Sequence, residues 1–211
     1  MTGEKIRKKI KSNGGFSMLE LLVATLIMLL ATSLLAQTMA LGLQQFRTIT
    51  KRSKADTLCS TLSIYVENEL AYAKVKVKDG QVTFTSDVHN MGPDAAFYIL
   101  ESAEDEDGTV VTSGESPVGI IVETSDYYKN YVKEKNIGLQ PAAQRRPYYS
   151  IVGEGSYKIG DRSSEMLAAS MSLKNTSDSI EVTISVYDTD GETVLSSNHF
   201  RVIPLEFEKS E

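Results

Sequence analysis

The chain has 211 residues, with 28 acidic against 22 basic side chains and a formal net charge of −6 at pH 7. An acidic surface repels phosphates, so binding of DNA or RNA through bulk charge is disfavoured, although a local basic patch could still bind. The single cysteine excludes an intrachain disulfide. Two histidines far apart in sequence give little support to a catalytic metal centre. We therefore expect that the chain binds no cofactor and is not an enzyme.

A short basic segment precedes a long apolar run. Residues 1–15 hold one acidic residue, Glu4, and five basic ones, a net charge of +4: Lys5, Arg7, Lys8, Lys9 and Lys11. Subtracting this +4 from the −6 of the whole chain leaves −10 for residues 16–211. The positive-inside rule predicts that residues 1–15 stay on the cytoplasmic side, so that the rest of the chain projects outward.

Residues 16–43 form the apolar run, and Glu20 is their only charged side chain. About 20 helical residues already cross the hydrocarbon core of a bilayer, so this segment predicts a transmembrane helix. A carboxylate in such a helix costs about 2.5–3.5 kcal/mol at the bilayer centre, and less near an interface. Glu20 is therefore a candidate functional residue that requires a partner.

The sequence Gly14-Gly15-Phe16-Ser17-Met18-Leu19-Glu20 resembles the class III leader of the type IV pilin family, which includes the pseudopilins of type II secretion and competence systems. The resemblance implies that prepilin peptidase cuts between Gly15 and Phe16, that Phe16 is then N-methylated, and that Glu20 guides filament assembly. It also implies other pilin or pseudopilin subunits, an assembly platform in the inner membrane and its ATPase as partners.

Two positions indicate which branch of the family the chain resembles. Gln37 stands where major subunits often have proline, and Leu29 stands where many of them have glycine. The resemblance is therefore greatest to minor pilins and minor pseudopilins. It implies a single-pass protein of the cell membrane with an extracytoplasmic C-terminal domain, which later joins a filament at the cell surface.

Two alternatives remain open at the level of the sequence. Thr38-Met39-Ala40 is a passable small-residue cleavage site, so an ordinary secretory signal cut near Ala40 would release a soluble domain. An uncleaved signal anchor would instead hold an extracytoplasmic binding domain that never polymerises. Neither alternative accounts for Glu20 or for Gly15-Phe16 at the membrane edge.

Beyond the membrane segment, residues 44–78 lack a proline, and the helical pattern predicts that a stem helix continues to Lys78. At 100° per residue, six side chains fall on one amphipathic face: Leu58, Leu62, Tyr65, Val66, Tyr72 and Ala73. We expect this face to pack on a sheet. Glu69 lies in the same stripe and is expected at its rim or hydrogen-bonded to the sheet, whereas Cys59 is expected to serve packing.

Residues 79–211 predict a β-rich ectodomain. The predicted strands are 81–86, 96–101, 118–124, 166–173, 180–187 and 193–205, whereas 103–116 and most of 125–150 are predicted loops. The predicted fold class is therefore α+β, with a long N-terminal helix packed on an antiparallel β-meander, and the family resemblance implies the same pilin-like architecture. The chain divides into residues 1–15, 16–43, 44–78 and 79–211.

Two segments of the ectodomain are weaker candidate sites. Asp188, Asp190 and Glu192 place oxygen atoms at a spacing that resembles a calcium loop, but the distant bidentate glutamate is missing, so we expect a plain hairpin turn. The second segment interleaves rings and cations in the manner of a surface that stacks bases or sugars: Tyr127, Tyr128, Lys129, Tyr131, Lys133, Lys135, Arg145, Arg146, Tyr148 and Tyr149. Loop packing is the expected role of these residues, as it is for His89 and His199.

Overall fold

The computed structural model describes residues 17–78, 80–86, 88–100, 109–111, 117–135, 146–153, 167–188 and 190–209. Within these ranges, two α-helices span Met18–Tyr72 (α1) and Asp126–Lys135 (α2), and a short 3-10 turn covers Val88–Asn90. Ten strands follow in chain order: Lys74–Lys78 (β1), Gln81–Ser86 (β2), Gly92–Leu100 (β3), Thr109–Val110 (β4), Ile120–Thr124 (β5), Tyr149–Ser150 (β6), Ala168–Asn175 (β7), Ile180–Tyr187 (β8), Val194–Val202 (β9) and Glu206–Lys209 (β10). The α+β class is confirmed.

The chain forms two compact units, which meet in sequence between Ile49 and Thr50. In the first unit, the described residues are the N-terminal 32 residues of α1 together with Ser17. The second unit contains the rest of α1 and all of the described strands.

Seven strands of the second unit form one sheet in the order β10-β1-β2-β3-β5-β6, with β4 paired to β3. All of its pairings are antiparallel except that of β10 with β1, which is parallel. The predicted antiparallel meander is therefore wrong at this edge. The parallel pairing arises because the chain crosses from the second sheet through Pro204 before β10 lies alongside β1.

The second sheet consists of two consecutive hairpins, β7-β8-β9. Its central strand alternates as the sequence predicts, because Ile180, Val182, Ile184 and Val186 are fully buried and the residues between them are only partly buried. An isolated antiparallel bridge joins Gly119, just before β5, to Ala169 in β7. A side chain at position 119 would collide with the carbonyl oxygen of Leu100, so the bridge requires glycine at this position.

The core of the second unit lies between α1 and the sheets. Leu62, Val66 and Leu70 of α1 are fully buried, as are Phe84 and Phe97, whose rings lie 5.0 Å apart. This confirms the predicted apolar stripe along the middle of α1. The predicted stripe also includes Tyr72, which is 78% exposed, so the prediction is wrong at that residue. The helix ends at Tyr72, whereas Leu70 in the same turn remains in the core.

The predicted stem was also too long, since α1 stops at Tyr72 and Lys74–Lys78 is strand β1. The reason is the alternation of the sequence Lys-Val-Lys-Val-Lys, in which the lysines are exposed and Val75 and Val77 are buried. A period of two is typical of a strand with one solvent-exposed face. This segment forms such a strand although it contains no glycine or proline that would stop the helix.

Other boundaries also differ from prediction: the predicted loop 103–116 contains β4, and β7 extends to Asn175. Segment 125–150 holds α2 and β6 where a loop was predicted, and β3 begins earlier, at Gly92. The last predicted strand is broken after Val202, and its second part becomes β10. Proline at position 204 explains the break, because it cannot donate a backbone hydrogen bond to a neighbouring strand.

Candidate functional site

Helix α1 begins with a reciprocal cap formed by Ser17 and Glu20. The Leu19 N–H donates to Ser17 Oγ at 3.2 Å, and the Ser17 N–H donates to Glu20 Oε2 at 3.0 Å. This arrangement corresponds to a capping box, in which a serine before the helix and a glutamate three residues later satisfy backbone donors that lack helical partners. The bond gives the Glu20 carboxylate one local donor, and none of the ion pairs among the described residues includes Glu20. Gly15 and Phe16 lie outside the described residues.

The helical segment that follows Glu20 is exposed on all sides. Every side chain from Ser17 to Ile49 is exposed, including Leu26, Leu29 and Leu34 at 58%, 68% and 62%. This part of α1 is long and apolar enough to cross a membrane, as a membrane anchor or a signal sequence does. An apolar helix without a polar face requires lipid or other apolar helices around it.

The hydroxyl groups of this segment are compatible with an apolar environment. Thr25, Thr32, Ser33 and Thr38 each donate to a carbonyl three or four residues earlier, at 2.9–3.0 Å. These intrahelical bonds satisfy the hydroxyls without water, as is required in a bilayer or among packed helices. Between Met18 and Leu43, Glu20 is the only charged side chain, and its charge requires a partner from outside this segment.

The acidic loop between β8 and β9 is a hairpin turn organised by Asp190. Its carboxylate accepts bonds from the Glu192 N–H at 3.0 Å and from the N–H and hydroxyl of Thr193 at 2.9 and 2.5 Å. These bonds, the Thr193 hydroxyl first, lower the pKa of Asp190 to about 2. The Asp188 carboxylate forms an ion pair with Lys51 of α1. The predicted turn is confirmed, and two of its three candidate calcium ligands form these protein contacts.

The segment of rings and cations is divided between α2 and the residues around β6. Lys129 lies 5.7 Å from the centre of the Tyr98 ring, and Arg146 donates to the Tyr148 hydroxyl at 3.1 Å. Tyr127 covers Gly92, where a side chain would meet its ring. These intramolecular contacts agree with the expected packing role. Arg145 and the side chain of Lys135 lie outside the described residues.

The histidines and the cysteine take up separate places. His89 stacks on Tyr149 with ring centres 3.8 Å apart, whereas His199 Nδ1 is 3.0 Å from the Thr183 hydroxyl. Cys59 is buried on α1, as expected for packing. In the described ranges, no three His, Cys, Asp or Glu side chains come close enough to hold a metal ion.

A buried carboxyl group on β5, Glu123, was not identified from the sequence. It is fully buried, and the Tyr65 hydroxyl of α1 donates to its Oε2 at 2.6 Å. Its Oε1 has no hydrogen-bond partner within the described part of the chain. Burial raises the pKa of Glu123 to about 8, the hydrogen bond from Tyr65 opposes this, and the charge of Glu69 adds to it. Glu123 is therefore mostly protonated at neutral pH.

Glu69 lies one helical turn after Tyr65 and is also buried. Its Oε1 accepts a bond from the Ser86 hydroxyl of β2, which confirms the expectation that the sheet hydrogen-bonds this carboxylate. The two acidic groups therefore fasten the C-terminal part of α1 to two different strands. The sequence of β5 gave no signal that Glu123 is buried, because all five residues of this short strand are buried and the hydrogen-bond partner of Glu123 lies 58 residues away in sequence.

Comparison with known proteins gives no relative: no family model, no curated protein and no solved structure matches this chain.

Proposed function

We propose that this chain is a minor pilin or pseudopilin: a membrane-held subunit that prepilin peptidase cuts between Gly15 and Phe16, that is methylated on Phe16, and that then assembles into a filament with related subunits. The observation that carries the proposal is Glu20 in the first turn of an apolar helix that is exposed on all sides. The resemblance of residues 14–20 to the prepilin leader supplies the rest of the argument.

The mechanism assigned to Glu20 is electrostatic. The Ser17 N–H bond lowers the cost of placing the carboxylate near lipid but does not neutralise it. A methylated amine on Phe16 of a neighbouring subunit would supply the missing positive charge, so that two groups unfavourable in a membrane form one nearly neutral pair. Such a pair sets the axial register between neighbours, and their apolar helices cover one another.

The proposed role is mechanical and requires machinery outside this chain. The peptidase acts at the cytoplasmic face, and an assembly platform with its ATPase extracts the subunit from the bilayer. The second unit would then project from the filament as an acidic recognition domain, since residues 16–211 carry a net charge of −10 after removal of the leader's +4 from −6.

The proposal predicts that Glu20→Leu leaves leader cleavage and membrane insertion intact but reduces incorporation into filaments. Removing a carboxylate makes insertion no more costly, whereas a filament subunit loses its contact with the neighbouring amine. The measurement is the ratio of this protein in sheared filaments to that in membranes. Met28→Leu, at an exposed apolar position of the same helix, is the matched control and should incorporate normally. Normal incorporation of Glu20→Leu would show that Glu20 is not an assembly contact.

A further inference from the structure

A basic segment follows the apolar run directly. Residues 44–54 contain no aspartate or glutamate and four cations: Arg47, Lys51, Arg52 and Lys54. The net charge of residues 16–54 is +3, because these four cations outweigh the single acidic residue, Glu20. Subtracting this +3 from the −10 of residues 16–211 leaves −13 for residues 55–211. The basic segment, residues 44–54, therefore separates an apolar helix from a strongly acidic part of the chain.

Two arginines of the basic segment present their charge to the surroundings. Arg47 and Arg52 are exposed, and none of the ion pairs among the described residues includes either of them. Lys51 is only partly exposed and forms the ion pair with Asp188. The nearest acidic residue along the chain is Asp56, about one turn beyond Arg52. An exposed pair between these two would be weak, since water and salt screen it, so Arg52 is available to a stronger partner.

Helix α1 carries both arginines to the surface of a bilayer that holds the apolar run. The helix is continuous from Met18 to Tyr72. At about 1.5 Å per residue, Arg47 lies about 6 Å beyond Leu43, where the apolar run ends, and Arg52 lies about 8 Å further. The headgroup layer is about 5–8 Å thick on each side, and charges act over a Debye length of about 8–10 Å. Arg47 therefore falls in the headgroup layer, and Arg52 is close enough to interact with it.

The placement of the arginines around the helix favours lipid over a protein partner. Five residues correspond to about 140° of rotation on an α-helix, so Arg47 and Arg52 lie on different sides of α1. Headgroups surround a membrane helix, whereas a protein partner docks on one side. The planar guanidinium group also matches the geometry of phosphate. Residues 55–211, at −13, are repelled from an anionic surface, which leaves the basic segment as the part of the chain that such a surface attracts.

We propose that Arg47 and Arg52 bind the phosphate groups of anionic phospholipids in the leaflet where the apolar run ends. Each guanidinium group donates hydrogen bonds to phosphate oxygens, and the negative surface potential of the leaflet adds to their attraction. These contacts hold the C-terminal end of the membrane segment at the bilayer surface. The proposal rests on the membrane-spanning part of the proposed function, but not on leader cleavage or filament assembly.

The test places a single tryptophan next to the proposed lipid site. The chain contains no tryptophan, and Leu43→Trp introduces one at an exposed position at the end of the apolar run. The full chain is inserted, one chain per nanodisc, into equal amounts of phosphatidylglycerol and phosphatidylcholine. In paired samples, one or the other lipid carries brominated acyl chains, which quench tryptophan on contact. We expect phosphatidylglycerol to associate about fivefold more strongly than phosphatidylcholine around this tryptophan.

Matched variants and salt identify the groups responsible. Arg47→Gln/Arg52→Gln should reduce the preference to about one, since it removes both phosphate-binding groups. Lys76→Gln/Lys78→Gln removes the same charge at exposed positions of β1 and should bind lipid like the parent. Sodium chloride at about 1 M should weaken the preference of the parent, because it shortens the Debye length to about 3 Å. The leader's cations precede the apolar run and do not affect this leaflet.

Each contrary outcome has a distinct meaning. Equal quenching by the two lipids in the parent, or an unchanged preference in Arg47→Gln/Arg52→Gln, would overturn the proposal and leave the membrane segment in place. Loss of the preference in Lys76→Gln/Lys78→Gln would show that net charge selects the lipid and would overturn it too. So would a preference that appears only with two chains per nanodisc, because the acidic part of a second copy would then be the partner. If neither lipid quenches, the apolar run is not in the bilayer, and the proposed function fails as well.

Discussion

Glu123 lies in an environment that strongly changes its ordinary acid–base chemistry. It is fully buried in β5, and the groups that face it are Tyr65 and Glu69 of α1 and Tyr149 of β6. None of these is a cation. Burial, with a smaller effect of Glu123, raises the pKa of Tyr65 far above its usual value, so that Tyr65 remains a hydrogen-bond donor at all ordinary pH values.

This environment makes the stability of the second unit depend on pH. Because the folded-state pKa of Glu123 is about 8, above its value of 4.5 when unfolded, the folded state holds the proton more tightly. The favourable contribution of protonated Glu123 to the free energy of unfolding is fully present below pH 4.5. This contribution is lost as the pH rises through 8 and changes no further at higher pH. The folded protein should therefore lose stability between about pH 5 and pH 8.

Glu123→Gln should remove this slope and make the protein more stable than the parent at pH 8, since the amide cannot ionise. Thermal unfolding of the full chain in detergent at pH 5 and pH 8 measures the effect. Glu134→Gln, at an exposed position of α2, should retain the slope of the parent. If Glu123→Gln keeps that slope as well, the carboxyl group does not titrate in this range.

At the scale of elements, the helix and the central strands follow from sequence patterns. The alternation of residues 180–187 predicts β8, and the apolar stripe predicts the face of α1 that contains Leu62 and Val66. The same rule, that polar and apolar residues alternate along a strand, also fits Lys74–Lys78. Applied there, it predicts strand β1 and therefore an end of α1 before Lys74. Helix α2 gave no comparable signal, because its many tyrosine and lysine side chains obscure an apolar stripe and only Val132 is buried among its described side chains.

The packing of α1 gives a direct test at this scale. Leu62 is fully buried, so Leu62→Ala should lower the free energy of unfolding by about 2–5 kcal/mol. Ile64, two residues later, is 60% exposed, and Ile64→Ala should change it by less than about 1 kcal/mol. Denaturant unfolding of the two variants in detergent provides the comparison. Similar losses for both would mean that α1 does not pack on the sheets through the Leu62 face.

At the scale of the whole molecule, the sequence indicates more about processing and assembly than about binding. Glu20 stands out because a single charge in an apolar run is costly, and the leader residues around Gly15 add a resemblance. The order of the described strands in the two sheets could not be predicted in this way. That order depends on contacts between residues distant in the chain.

The central claim is that this chain is a processed subunit, and the mass of its mature N-terminus tests it most directly. The protein is isolated from membranes of cells that contain prepilin peptidase, and its terminal peptide is analysed by mass spectrometry. We predict a chain that begins at Phe16 with one N-methyl group, and Gly15→Leu should leave it uncut. A start at Met1 would instead indicate a signal anchor, and a start near Thr38, Ala40 or Leu41 would indicate a secreted domain. Either result would contradict the proposed function.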